Sequence, residues 1–243
     1  MRALLFLRTA PKRPNPGKAG CLMANRPNYA KQMDEALAGL AGSRPSLLLH
    51  ACCAPCSSSV LEILERHFAV SVFYYNPNTW PEAEYARRLA ELRRFLAASG
   101  RAALPLIEEG YRPAEFYAAA AGLEAEPERG ARCTECYRLR MEKTAAYAAA
   151  HGYGWFCTTL SLSPHKDAER INQIGAALAA RYGVRHLPSE FKKRDGYKRS
   201  LELSALYGLY RQDYCGCEFS AQAAAARRQG PPKGEAPAGP GGC

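Results

Sequence analysis

Short apolar runs alternate along the chain with longer segments in which apolar residues return every third or fourth position. "SLLLH" at 46–50, "VSVFYYN" at 70–76, "ALPLIEE" at 103–109, "GWFCTTLS" at 154–161 and "VRHLP" at 184–188 read as strands. Between them the spacing predicts helices over 56–66, 81–99, 112–123, about 136–151, 165–181 and 196–210. In the 81–99 segment Tyr85, Leu89, Leu92 and Leu96 share one face, and Arg87, Arg88, Arg93 and Arg94 are expected largely off it. Gly152 and Gly183 stop the helices before them. Strands that alternate with helices imply a parallel sheet covered on both faces. Right-handed crossovers then bring the loops that follow the strands to one edge. The segment after strand one, "LSLSPHKD" (160–167) and "EFKKRDG" (190–196) would lie along it.

The ends of the chain lack this pattern. Residues 1–24 are expected to be a disordered extension, 25–220 one α/β domain, and 221–243 a disordered tail of Ala, Gly, Pro and Arg. The apolar run Ala3–Leu7 is too short for a secretory signal, and Pro and basic residues follow it, so the expected location is cytoplasmic. No apolar stretch approaches the roughly eighteen residues of a membrane span. A net charge of +10 suits a polyanionic partner, nucleic acid first, although a plain basic surface would read the same.

Ten cysteines change the picture more. Seven of them form three tight clusters: Cys52, Cys53 and Cys56; Cys133 and Cys136; Cys215 and Cys217. A secreted disulfide scaffold would be shorter and more evenly spaced, so clustering points to metal or redox chemistry. Cys53-Ala54-Pro55-Cys56, between a strand and a helix start, is compatible with a thioredoxin-like couple. Two sets of thiols supply the four or so that zinc or an iron–sulfur cluster needs. Cys215-Gly216-Cys217 would close a small, strained and easily reduced ring, which suits a redox relay. Cys157 lies inside a strand and reads as core, while Cys21 and Cys243 lie in the end segments. Asp195, Tyr197 and Tyr214 lie near the expected edge and can hold a proton. Lys192, Lys193, Arg194, Lys198 and Arg199 surround Tyr197 in a run whose composition fits phosphate contacts.

Longer motifs carry a resemblance. "LLLHACCAPC", "YNPNTWPEAEYARR", "RCTECYRLRMEKTA", "TTLSLSPHKDAERIN" and "EFKKRDGYKRSLELSALYGLYRQDYCGC", with the lead-in "NRPNYAKQM", resemble the QueH-type epoxyqueuosine reductases over about residues 25–220. The expected fold is α/β: a Rossmann-like (HUP-like) parallel sheet flanked by helices, with a helical C-terminal portion. The resemblance implies reduction of epoxyqueuosine to queuosine at the wobble position of tRNA, without cobalamin. It implies that Cys52, Cys53, Cys133 and Cys136 hold a [4Fe-4S] cluster and that Cys215 and Cys217 form the redox-active disulfide. Some relatives carry an acidic residue at the position of Cys56, which implies a donor for an additional mononuclear iron. The electron donor is not identified by any of these motifs. Residues alone leave two other classes open: a thioredoxin-like thiol–disulfide oxidoreductase, and a zinc-bearing RNA-binding module.

Overall fold

The computed structural model describes residues 27–229. Five strands form one parallel sheet in the order β3-β2-β1-β4-β5. They are β1 (Ser46–His50), β2 (Ala69–Tyr74), β3 (Leu106–Glu108), β4 (Trp155–Thr158) and β5 (Arg185–His186). Helices fill each crossover, as parallel pairing requires: α2 (Ala54–Leu64), α3 (Glu82–Ala98), α4 (Pro113–Ala120), α5 (Ala131–Ala150) and α6 (Ala168–Tyr182). Helix α1 (Tyr29–Ala38) precedes the sheet, and α7 (Gly196–Leu206) and α8 (Glu218–Gln229) follow it. The Rossmann-like α/β architecture and the helical C-terminal portion are therefore both present.

The alternation of β1 splits the core in two. Leu47 and Leu49 pack with Leu61, Leu64 and Phe95 on the side of α2 and α3. Leu48 packs with Met141, Ala145, Ile171 and Leu178 on the side of α5 and α6. All three leucines are fully buried, as expected for a central parallel strand. Cys157 faces the first of these cores and is fully buried, so its reading as a packing residue stands.

Two boundaries and the burial of one arginine differ most from the pattern-based expectation. Helix α5 starts at Ala131 rather than near Cys136. Its first turn shows no apolar stripe because Arg132 is the residue buried there, with Nη1 donating to the carbonyls of Leu123 (3.2 Å) and Glu124 (2.7 Å). Residues 221–229, expected to belong to a disordered tail, are the body of α8. Alanine favours helix without marking a face, and buried Ala224 together with Phe219 against Phe116 (6.3 Å) seats this helix. Arg88, expected off the packed face of α3, is 3% exposed. The proposed extension 1–24 and tail residues 230–243 lie outside the described residues. Among the described residues no helix is long and apolar enough to cross a membrane.

Candidate functional site

The chain leaves β1 for β2 on one side and returns to β4 on the other. A crevice opens at the carboxyl ends of β1 and β4, the switch point of such sheets. At the end of β1, buried His50 ties the sheet together. Its Nε2 donates to the Tyr75 carbonyl (3.1 Å), which leaves Nδ1 to accept from the Thr158 hydroxyl (2.9 Å). Burial lowers the His50 pKa to about 3, so the ring stays neutral. The next residues are pinned from both neighbouring strands. Asn76 donates to the Ala51 carbonyl (2.9 Å), and the Cys52 amide donates to Thr159 Oγ1 (3.2 Å).

Cys53 caps α2 in an extended conformation, and Pro55 sits in the first turn, where its missing N–H costs nothing. This turn gathers the first thiol cluster. The sulfurs of Cys52, Cys53 and Cys56 lie within 4.8 Å of one another, and Cys52 and Cys53 are 3.7 Å apart. The thiols of Cys53 and Cys56, hydrogen-bonded to Cys52, hold its pKa well below the usual thiol range. The same contacts push Cys56 well above it, and the hydrogen bond that Cys53 donates to Cys52 raises Cys53 to about 11.

Cys133 and Cys136 are one turn apart on α5 and so face the same way. The Arg129 amide donates to Cys133 Sγ (3.2 Å). Burial raises the Cys133 pKa and takes Cys136 to about 12. Cys215 and Cys217 precede or open α8, and Gly216 between them has φ +134. Only glycine suits that angle, and a Cβ there would stand 2.7 Å from Arg88 Nη1. Three hydrogen bonds fix the loop: Trp80 N–H to Gly216 O (2.8 Å), Arg88 Nη1 to Cys215 O (3.3 Å) and Gly216 N–H to Ser220 Oγ (3.1 Å).

These segments share one cavity of about 260 Å³, lined by Cys52, Cys53, Cys56, Cys133 and Cys215. A smaller hollow of about 20 Å³ is lined by Cys133, Cys136, Cys215 and Cys217. All seven clustered cysteines therefore border one or the other of two neighbouring cavities that share Cys133 and Cys215 in their walls, and each is a free thiol. Tyr197 and Tyr214 also line the main cavity, and the Tyr214 hydroxyl donates to the Trp80 carbonyl (3.0 Å). Asp195 is exposed at the N-cap of α7 and does not line the cavity. The basic run divides. Lys192 bonds to the Lys166 carbonyl (3.3 Å) and Glu190 (3.5 Å), Arg194 pairs with Asp34, and Arg199 pairs with Glu62 (2.8 Å) and Glu202 (3.2 Å). Lys193 and Lys198 are exposed and have no ion pair with another described residue.

Periodicity gave no sign of the cations around the sulfurs. Arg88, Arg132, Arg140 and Lys166 are 3%, 5%, 2% and 8% exposed. Arg88 and Lys166 line the main cavity, Arg132 the smaller hollow, and Arg140 donates to the Cys136 carbonyl (3.1 Å). Among the described residues, the one carboxylate paired with any of them is Glu84, 2.7 Å from Arg88. Arg88 Nη2, Arg132 Nε and Arg140 Nη2 are buried with no hydrogen-bond partner. Buried cations are costly without counter-charge. An anionic thiolate–metal assembly would supply that charge, and soft sulfur donors are its natural ligands. The residues present fit such a group.

Comparison with known proteins gives the family. The family model described as "Epoxyqueuosine reductase QueH" matches residues 47–223. The epoxyqueuosine reductase QueH of Staphylococcus epidermidis is 43% identical over 185 residues, which cover 74% of this chain and 78% of that protein. The Streptococcus pyogenes protein of the same name is 41% identical over 74% of this chain and 71% of its own, and that of Thermotoga maritima is 32% identical over 72% and 90%. A solved structure, the U34-tRNA thiolase NcsA from Methanococcus maripaludis with its [4Fe-4S] cluster, superposes with a TM-score of 0.49 at 11% identity, over 81% of this chain and 70% of that one. A match this long to the family model, with relatives this similar over most of their length, shows that the chain belongs to the QueH epoxyqueuosine reductase family.

Proposed function

We propose that this chain reduces the epoxide of epoxyqueuosine, carried at the wobble position of tRNA, to the alkene of queuosine, without cobalamin. The observation that carries the reading is the meeting of all three cysteine clusters at one cavity in a chain of this family. Cys52, Cys53, Cys133 and Cys136 would hold a [4Fe-4S] cluster, with Cys56 left as a donor for an additional mononuclear iron. When bound, such a group supplies single electrons and Lewis-acidic iron.

The chain's own residues supply the rest. Opening the epoxide to an alkene consumes two electrons and two protons and releases water. Oxidation of the Cys215/Cys217 dithiol to a disulfide provides both, so the sum is epoxide plus dithiol giving alkene, disulfide and water. An external electron donor then restores the dithiol. Tyr197 and Tyr214 would carry a proton to the leaving oxygen, and burial raises the Tyr214 pKa so that it stays protonated. Asp195 would act from outside the cavity, by moving in when substrate binds. The cavity volume lies just below the roughly 300 Å³ at which small-ligand pockets begin, which suits one flipped-out base rather than a run of nucleotides. Lys193 and Lys198 would meet backbone phosphates directly, and Lys192, Arg194 and Arg199 would do so by exchanging their present carboxylate or carbonyl partners.

Anaerobic purification with metal analysis and a turnover assay tests the reading. Iron, a brown colour and conversion of epoxyqueuosine-bearing tRNA are expected. Cys215→Ser and Cys217→Ser are each expected to keep the iron and lose turnover by a factor of about 100 or more, since one thiol cannot close a disulfide. A colourless zinc protein that binds RNA without turnover would sink it.

A further inference from the structure

Lys166 is a charged side chain at the cavity that the chemistry above leaves without a task. We propose that its ammonium binds the epoxide oxygen of the substrate and makes Lys166 a specificity-determining residue. The inference rests on the reading of the reaction just given.

Lysine is among the residues least often buried unless paired, yet Lys166 is 8% exposed and lines the cavity. No carboxylate pairs with it among the described residues. It lines the same cavity as Cys52, Cys53, Cys56, Cys133 and Cys215, and the charges that act on it are those of Cys215, Cys52 and Cys56, with Arg140 as an opposing cation. Its backbone is held on both sides: the Lys166 amide donates to the Ser163 carbonyl (3.2 Å), and Lys192 Nζ donates to the Lys166 carbonyl (3.3 Å). The backbone is thus anchored while the side chain borders the cavity that the sulfurs line, where the reacting ring would lie. Substrate and product rings differ by a single oxygen atom. That atom accepts hydrogen bonds, and the alkene that replaces it accepts none. A buried ammonium with its donors unspent recognises this difference and favours the negative charge that grows on the oxygen as its bonds to carbon break. The ammonium is not consumed, because the two thiol protons leave with the oxygen as water.

Lys166 could instead act only as a counter-ion to the sulfurs, and the test separates the two roles. Full-length, iron-loaded wild type, Lys166→Met and Lys166→Gln, each with its Cys215/Cys217 pair oxidised to the disulfide so that no turnover occurs, are titrated without reductant against two anticodon stem-loops, one bearing epoxyqueuosine and one queuosine. Iron content and cluster reduction potential are measured on the same samples. Wild type is expected to prefer the epoxide by about 10- to 100-fold, the worth of one hydrogen bond to a charged group. Lys166→Met is expected to bind both alike with iron content unchanged, its potential falling because a buried cation is lost. Lys166→Gln, which keeps a neutral donor, is expected to retain part of the preference, and it carries the comparison should the Met variant fail to fold. Retained preference in the Met variant overturns the inference. So does a preference lost only together with iron, or lost equally in Lys166→Gln and Lys166→Met, which would assign Lys166 to the sulfur charge alone. A wild type that turns over but shows no preference also overturns it and leaves the reductase reading intact, whereas a wild type that does not reduce epoxyqueuosine overturns that reading instead.

Discussion

Arg88 carries its charge into the wall of the sulfur-lined cavity, with Glu84 one helical turn away at 2.7 Å. It sits between Tyr85 and Leu92 on the packed face of α3, and it also holds the carbonyl of Cys215. Arg88→Met is expected to strand Glu84 in the interior, where only the Tyr210 hydroxyl (3.2 Å) remains to meet it. The expected loss is about 3–5 kcal/mol, read by urea denaturation, and Glu84→Gln on top should recover part of it. A loss below about 1 kcal/mol would mean that the pair bears no weight. His186 offers a separate test in the opposite part of the sheet. It is buried against Phe156 (5.1 Å) and Gly175, where an added Cβ would stand 2.3 Å from the ring. Burial lowers its pKa to about 4. The unfolded chain takes up this proton below about pH 6.5 and the folded one only below about 4, so stability is full above 6.5 and falls as pH drops towards 4. The expected slope is about 1.4 kcal/mol per pH unit for each such ring in that window, and because buried His50 acts in the same direction, thermal melts between pH 7.5 and 5 should show about half of the pH dependence lost in His186→Gln.

At the scale of elements, one glycine decides where α7 starts. A Cβ on Gly196 would lie 1.9 Å from the carbonyl oxygen of Phe191, which is backbone and cannot step aside. Gly196→Ala is therefore expected to displace the helix start, cost about 1–3 kcal/mol in denaturation, and raise KM for the tRNA because Tyr197 next to it lines the cavity. An unchanged melting curve would show that the turn adapts freely. Elements built on apolar runs were legible from the residues: "SLLLH" became β1 at its expected limits, and Gly183, in the left-handed region at φ +69, stops α6 as expected. Elements built on alanine or on buried arginine were not. Helix α8 and the first turn of α5 show no apolar stripe, because Ala224 fills space without raising the contrast and Arg132 is buried by carbonyls of the loop just before α5. That early start matters to the site, since it places Cys133 as well as Cys136 on helical backbone, one turn apart.

For the whole molecule, the thiols were legible and the charges around them were not. Cysteine spacing names donors, and alternating strands and helices bring their loops to one edge; nothing in the order of residues says that Arg140 and Lys166 will be enclosed with them. What topology adds is discrimination between thiols that look alike in sequence. Cys136 borders the sulfur-lined hollow, whereas Cys157 faces the other core, with Ser189 Oγ 3.8 Å from its sulfur. Both thiols are raised to about 12 by burial, so acidity does not separate them. Position does. Cys157→Ser is expected to keep its iron and to cost about 1 kcal/mol, because a hydroxyl there can pair with Ser189. Cys136→Ser is expected to lose most of its iron and its colour, and with them the counter-charge to Arg132 and Arg140, so its melting temperature should drop further than that of Cys157→Ser. Measured side by side on anaerobically purified protein, equal iron in the two variants would mean that the hollow beside α5 does not hold the metal, and the assignment of Cys133 and Cys136 as ligands would fall with it.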